Sequence, residues 1–194
     1  MTCPPSDSGT GDPLLHPPTL LTTQQIYEGR IVSMRVDEVR LNNGLVARRE
    51  VVDHPGAVVI VALDSDDQVY LVEQYRHPIG RTLLELPAGT LEPGEEPLQA
   101  AKRELREEVG AEAREWSKLG TFYSTPGFCS ESLHAFLARD LTYTECEPDD
   151  DEELRTVRLA LSDLRHASTE LVDSKSLASL YLLMTAESRL GNER

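Results

Sequence analysis

Residues Gly89 to Ala111, GTLEPGEEPLQAAKRELREEVGA, join a glycine-bearing loop to one helix whose faces have opposite character, and no other stretch constrains the fold as much. Pro97 suits a first helical position and Gly110 a C′ position, so the spacing predicts a helix over 97–109. At about 100° per residue, Leu98, Ala101, Leu105 and Val109 fall on one narrow apolar stripe. Glu104, Glu107 and Glu108 share an arc of roughly 100° beside it. Like charges at this spacing destabilise a helix by roughly 0.2–0.5 kcal/mol per pair, and the macrodipole disfavours negative charge in a last turn. A hard divalent cation, Mg²⁺ or Mn²⁺, would reverse the sign of that cost. Arg103, at the start of the acidic run, can pair back to Glu95 or forward to Glu107. On charge alone, a solvated acidic face is the competing explanation.

The loop decides between them. Gly89, five residues, Glu95, seven residues, then Arg103-Glu104-Leu105-Arg106-Glu107-Glu108-Val109-Gly110-Ala111 fill every fixed position of the Nudix box, and on this signature the chain resembles the Nudix hydrolases. The resemblance implies an α+β fold, an α/β/α sandwich around a mixed sheet. It also implies metal-dependent hydrolysis of a nucleoside diphosphate linked to another moiety.

The chain has 194 residues, enough for one domain of ordinary size with a tail. Its formal charge of −15 repels polyanions, which argues against a nucleic-acid partner. No apolar run approaches the length of a membrane span, and the N-terminus has no secretory pattern. Three cysteines, Cys3, Cys129 and Cys146, have neither disulfide nor zinc spacing, and a reducing, cytoplasmic setting is expected.

Residues 1–22, rich in Pro, Ser, Gly and Thr, read as a mobile tail, and residues 23–194 as the catalytic domain. Ile26 to Leu41 and Leu45 to Val52 flank the turn signal Asn42-Asn43-Gly44, which predicts antiparallel strands within residues 23–53. Ala57 to Leu63, AVVIVAL, reads as a strand buried on both faces, and Val69 to Gln74 as the next. Glu85 interrupts an apolar segment, either facing the surface from an edge strand or facing a ligand. Glu115 to Tyr123 is a strand anchored by Trp116, Leu119 and Phe122. Ser124 to Glu131 has turn chemistry and reads as a mobile loop. Leu133 to Ala138 and Val157 to Leu161 are strands, and Ser162-Asp163 can cap a short helix. A longer helix over 174–190 carries Leu177, Leu180, Leu183 and Met184 on its period. The acidic run 145–153 is a solvated loop or a second metal site.

Outside the box, the Ser124-Thr125-Pro126-Gly127 loop with Glu131, the run Glu73-Gln74-Tyr75-Arg76, Glu85-Leu86-Pro87-Ala88-Gly89 and Gly29-Arg30-Ile31 are similar to the ADP-ribose pyrophosphatase branch. That resemblance implies metal ligation by Glu104, Glu107, Glu108 and the Ala88 carbonyl. It assigns the catalytic set to Glu131 as general base, Glu107 and Arg103. Arg76 would contact phosphate and Glu85 the distal ribose, while Arg30 and Ile31 would hold the adenosine part in a homodimer with exchanged N-terminal strands. The expected substrate is a small nucleoside diphosphate sugar, ADP-ribose first and others such as GDP-mannose second. A non-catalytic nucleotide sensor would be expected to lack box acids that are all present here.

Overall fold

The computed structural model describes residues 16–143, 153–166 and 171–191. Residues 1–15 and most of the acidic run 145–153 lie outside them, as do Cys3 and Cys146. The chain forms two compact units that divide between Val52 and Asp53.

The first unit is a three-stranded sheet in the order β1-β2-β3, with β1 at Thr19–Glu28, β2 at Ser33–Arg40 and β3 at Val46–Asp53. β1 pairs antiparallel with β2. The Asn42-Asn43-Gly44 signal makes the next turn, where Leu41 N–H donates to the Leu45 carbonyl and Gly44 takes a φ of 85°. β1 begins at Thr19, inside the segment read as tail. Its run of Thr, Leu and Gln supplies residues that pair along an edge, although no period of two marks it.

The second unit is built on β4, Ala57–Leu63, in which all seven residues are buried. A strand's side chains alternate faces. Accordingly Val59, Val61 and Leu63 pack with Leu161, Leu164, Leu180 and Leu183 on one side. Val58, Ile60 and Ala62 pack with Ala100, Ala101, Leu105 and Val109 on the other. Each fully buried Val or Ile stabilises the fold by about 1.5–3 kcal/mol. The sheet is thus covered on both faces, by α1 (Pro97–Glu104) on one and by α2 (Leu161–His166) and α3 (Ser174–Gly191) on the other.

β4 runs parallel to β9 (Ser132–Tyr143), and the other pairs in this mixed sheet are antiparallel. The order is β10-β5-β4-β9-β8, with β5 at Gln68–Arg76, β8 at Ala111–Tyr123 and β10 at Leu154–Ala160. Along one edge β4 changes partner. Its first half pairs with β7 (Ala88–Thr90) and its last residues with β5, which also carries β6 (Arg81–Glu85). Residues 86 and 87 bridge that divergence, where the Ile60 N–H donates to the Pro87 carbonyl at 2.8 Å.

Three local features depart from the sequence expectation or add to it. The helix runs from Pro97 as predicted, but its last turn, Leu105–Val109, is π-helical and ends on Gly110 at φ 66° and ψ 41°. A bulge between Lys118 and Gly120 splits the β8 anchors, so Trp116 packs on the α1 side while Leu119 and Phe122 pack on the α3 side. On α3, Leu180 and Leu183 are buried, whereas Leu177 is 41% exposed.

Candidate active site

A cleft of about 450 Å³ opens where β5 and β7 part, and its walls include Arg76, Glu85, Ala88, Gly89 and Glu131. The acidic end of the Nudix helix lies against β7. Glu108, 2% exposed, accepts a hydrogen bond from the Ala88 N–H at 2.9 Å. Glu104, 7% exposed, sits beside Gly89, where a Cβ would overlap its carboxylate. The π turn, a feature that recurs at functional sites, carries Glu107 and Glu108, and the Thr156 hydroxyl donates to the Glu108 carbonyl at 3.1 Å.

Arg103 ties the acids together. Its Nε and Nη2 donate to Glu95 at 3.1 Å each, Nη1 to Glu104 at 2.7 Å and Glu107 at 3.0 Å, and Nη2 also to the Thr90 carbonyl at 3.2 Å. All five guanidinium donors are used, with Glu95, Glu104 and Glu107 engaged at once. The hydrogen bonds it donates to Glu95 raise the Arg103 pKa despite its burial, with the charge of Glu104 adding to them. Those same bonds hold the Glu95 carboxyl below its ordinary value.

Glu85 is 1% exposed, which rules out the surface-facing alternative. Arg76 grips it with two parallel hydrogen bonds of 2.8 and 2.7 Å, and Lys175 from α3 bonds Oε2 as well. Burial pushes the Glu85 carboxyl up, but Arg76 and Lys175 outweigh it and hold the group below its ordinary value. Asp173 caps α3, accepting from the Ser176 N–H at 3.0 Å and from Lys175 at 3.1 Å. The buried Ser176 hydroxyl accepts from the Leu86 N–H at 2.8 Å and so pins the strand-to-box segment to α3.

Glu131 stands at the end of the Ser124–Glu131 loop. The loop is closed by Ser124 N–H donating to the Glu131 carbonyl at 3.2 Å and by a turn from Thr125 to Cys129. His54 Nε2 lies 3.9 Å from Glu131 Oε1, and His54 Nδ1 accepts from the Gly56 N–H at 3.0 Å. The Nδ1 lone pair is thereby used, which leaves Nε2 as the nitrogen that faces the carboxylate.

The cleft therefore gathers Arg76, Glu85, Ala88 and Glu131, with Glu104 and Glu108 held against its Ala88–Gly89 wall. Arg30 and Ile31 lie in the β1–β2 turn of the N-terminal unit. His54, Asp173 and Lys175 line the cleft without having been singled out in the sequence. Lys175 carried one signal, since a lysine in a helix's first turn opposes the macrodipole and points to an anionic partner. His54 meets Glu131 across 77 positions of chain, which no local pattern encodes.

Among the described residues, no three His, Cys, Asp or Glu side chains stand close enough to hold an ion as they are. The donor chemistry nevertheless fits a hard cation. The candidates are all oxygen: carboxylates of Glu104, Glu107 and Glu108, two of them buried, and the Ala88 carbonyl. Gly89 leaves open the space that a side chain would take from Glu104.

These features are those of a Nudix enzyme, and comparison with known proteins agrees. The NUDIX domain model matches residues 53–180, and the chain belongs to the Nudix hydrolase family. Over 171 residues it is 39% identical to the ADP-ribose pyrophosphatase of Bacillus subtilis (strain 168), a match covering 86% of this chain and 92% of that one. A protein of Bacillus methanolicus named methanol dehydrogenase activator is 38% identical over the same shares. The crystal structure of an ADP compounds hydrolase superposes with a TM-score of 0.80 at 26% identity, over 93% of this chain and 99% of that one. Nudix hydrolases generally need a divalent metal.

Proposed function

We propose that the protein hydrolyses the pyrophosphate bond of ADP-ribose to AMP and ribose 5-phosphate, with Mg²⁺ as the metal and Mn²⁺ as a substitute. The observation that carries this reading is the convergence on one cleft of a guanidinium, Arg76, and a loop carboxylate, Glu131, beside the buried acids Glu104 and Glu108. Support for the substrate comes from the relative named ADP-ribose pyrophosphatase, to which the chain is similar over most of both lengths.

Each chain residue has a chemical task. Arg76, held by Glu85, neutralises a phosphate oxygen while the buried carboxylate keeps its guanidinium oriented. Glu131 accepts the proton of the attacking water, with His54 and the closed loop fixing where its carboxylate points. Arg103 orders Glu104 and Glu107. Glu104, Glu107, Glu108 and the Ala88 carbonyl would hold the metal. When bound, the metal supplies charge neutralisation of the diphosphate and a lowered pKa for water.

The N-terminal unit is the proposed dimer surface. Support comes from its small sheet, which leaves Leu20, Ile26, Tyr27, Leu45 and Val46 more than half exposed, apolar area that a second copy would cover. In such a dimer Arg30 and Ile31 would meet the adenosine of the substrate. A cytoplasmic location rests on the cysteine usage and on the absence, among the described residues, of any helix long and apolar enough to cross a membrane.

The test is a panel of ADP-ribose, GDP-mannose, NADH and dinucleoside polyphosphates incubated with the purified protein and Mg²⁺, with products separated by chromatography. AMP and ribose 5-phosphate from ADP-ribose, at the highest kcat/KM of the panel, is the expected outcome. Turnover of another member without AMP from ADP-ribose overturns the substrate. Light scattering of the same sample reads the dimer mass.

A further inference from the structure

A second cavity, of about 450 Å³, opens between the Nudix helix and the start of β8, and its walls share no residue with the catalytic cleft. That volume is in the range of small-molecule sites. Gln99, Lys102, Arg103 and Arg106 line it from the helix, and Glu112 and Trp116 from the strand. Gln99, Lys102, Arg106 and Glu112 are exposed, so solvent reaches its charged groups.

Those charges are unspent. Among the described residues, no ion pair or hydrogen bond engages the side chains of Lys102, Arg106 or Glu112, although cations and acid line one cavity. Lys102 and Arg106, four positions apart, also repel each other along the helix. Arg103 adds a third positive charge, but its donors are committed to Glu95, Glu104, Glu107 and the Thr90 carbonyl. In a chain of formal charge −15, the three cations make a local positive field that suits an anion. The macrodipole favours cations near a helix C-terminus, so charge alone does not define the ligand.

The indole narrows it. Trp116 is half-buried, its Nε1–H is spent on the Ala113 carbonyl at 3.0 Å, and its ring meets Phe136 edge-on with centroids 6.4 Å apart. What it offers the cavity is aromatic surface without a donor. A bare phosphate has no use for that surface, whereas a planar base stacks on it. Glu112 can accept from a ring amino group or a sugar hydroxyl.

We infer that this cavity is a second ligand site, which takes a nucleoside monophosphate: the phosphate on Lys102 and Arg106, the base on Trp116, and amino or hydroxyl donors on Glu112. The inference goes beyond the catalytic reading and does not depend on it. Because Arg103 has no donor to give up, occupancy leaves the acids of the cleft in place.

Trp116 is the only tryptophan of the chain, so its emission reads this cavity directly. AMP is titrated into the full chain with EDTA present, with excitation beyond the absorption of adenine, and a saturable change in emission is expected. Lys102→Gln and Arg106→Gln are each expected to weaken AMP binding by about tenfold to a hundredfold, the range for hydrogen bonds to a charged group. Their kcat/KM for ADP-ribose with Mg²⁺ is expected to stay at the wild-type value. Ribose 5-phosphate, which lacks the base, should bind about fivefold to a hundredfold more weakly than AMP, the worth of one base stacked on an aromatic ring. Calorimetry counts sites without relying on emission, and the double variant should bind one AMP fewer than wild type. Silent emission with equal stoichiometry in wild type and double variant overturns the inference. So does an emission change that survives in the double variant, a matching loss of kcat/KM, or ribose 5-phosphate binding as tightly as AMP. Failure of the wild type to cleave ADP-ribose leaves the binding measurements standing and counts against the catalytic reading alone.

Discussion

The carboxylate of Glu104 fills the space next to Gly89 that any side chain there would occupy. Gly89 does not have a positive φ, so the requirement for glycine at the start of the box comes from contact and not from backbone conformation. Strand β7 and the helix end are thereby brought close enough for Glu104 and Glu108 to reach the same short segment.

Gly89→Ala is therefore expected to push the Glu104 carboxylate aside. Overpacking of this kind destabilises by about 1–3 kcal/mol. Displacing a catalytic group by an ångström lowers kcat by about 10². Thermal melting and steady-state kinetics on ADP-ribose measure the two effects, and a variant with wild-type kcat would contradict the role given to this contact.

Arg103→Lys is expected to lose activity although charge is conserved. Five donors serve Glu95, Glu104, Glu107 and the Thr90 carbonyl, and an ammonium has three. Two acceptors are left short, at about 1–3 kcal/mol for each buried group left unsatisfied. Urea unfolding midpoints with unchanged slopes would report the destabilisation.

Features encoded in contiguous spacing were legible before the structure. The box from Gly89 to Ala111, the all-apolar β4, the Asn42-Asn43-Gly44 turn and the Gly110 cap each depend on neighbours within a few positions. What escaped depends on distant pairings. Lys175 reaches Glu85 across 90 positions, and Ser176 reaches Leu86 across the same span. The two alternatives for Glu85 could not be separated without those partners. The π turn escaped because a period of 3.6 assumes the helix it is used to detect. Trp116 and Phe122 pack on opposite faces because a bulge between Lys118 and Gly120 inserts one residue into the alternation, and residue spacing along a strand does not reveal a bulge.

Glu85→Gln should destabilise by about 3 kcal/mol at neutral pH, because Arg76 and Lys175 would lose the carboxylate between them. The folded-state pKa of Glu85 lies below its ordinary value of 4.5. Its contribution is therefore complete above pH 4.5 and is lost as pH falls through the folded value. The difference in melting temperature between wild type and variant should shrink below about pH 4.5. A difference that grew in acid would contradict the ion-pair assignment.

Glu131→Gln should lower kcat by about 10²–10⁴, the usual contribution of a positioned general base, with substrate binding little changed. His54→Asn should lower kcat less, by disturbing the carboxylate it faces. Comparing single-turnover rates with equilibrium binding separates these effects, and wild-type chemistry in Glu131→Gln would remove it as the base.

The central claim is that the acids at the end of the Nudix helix serve a metal-assisted cleavage. It is tested most directly by AMP release from ADP-ribose as divalent metal is removed with EDTA and Mg²⁺ is restored, in wild type and in Glu108→Gln. The account predicts that wild-type turnover disappears and returns with Mg²⁺, while Glu108→Gln folds but stays several orders of magnitude slower at every Mg²⁺ concentration. EDTA-insensitive turnover, or a Glu108→Gln rate near that of wild type, would contradict it.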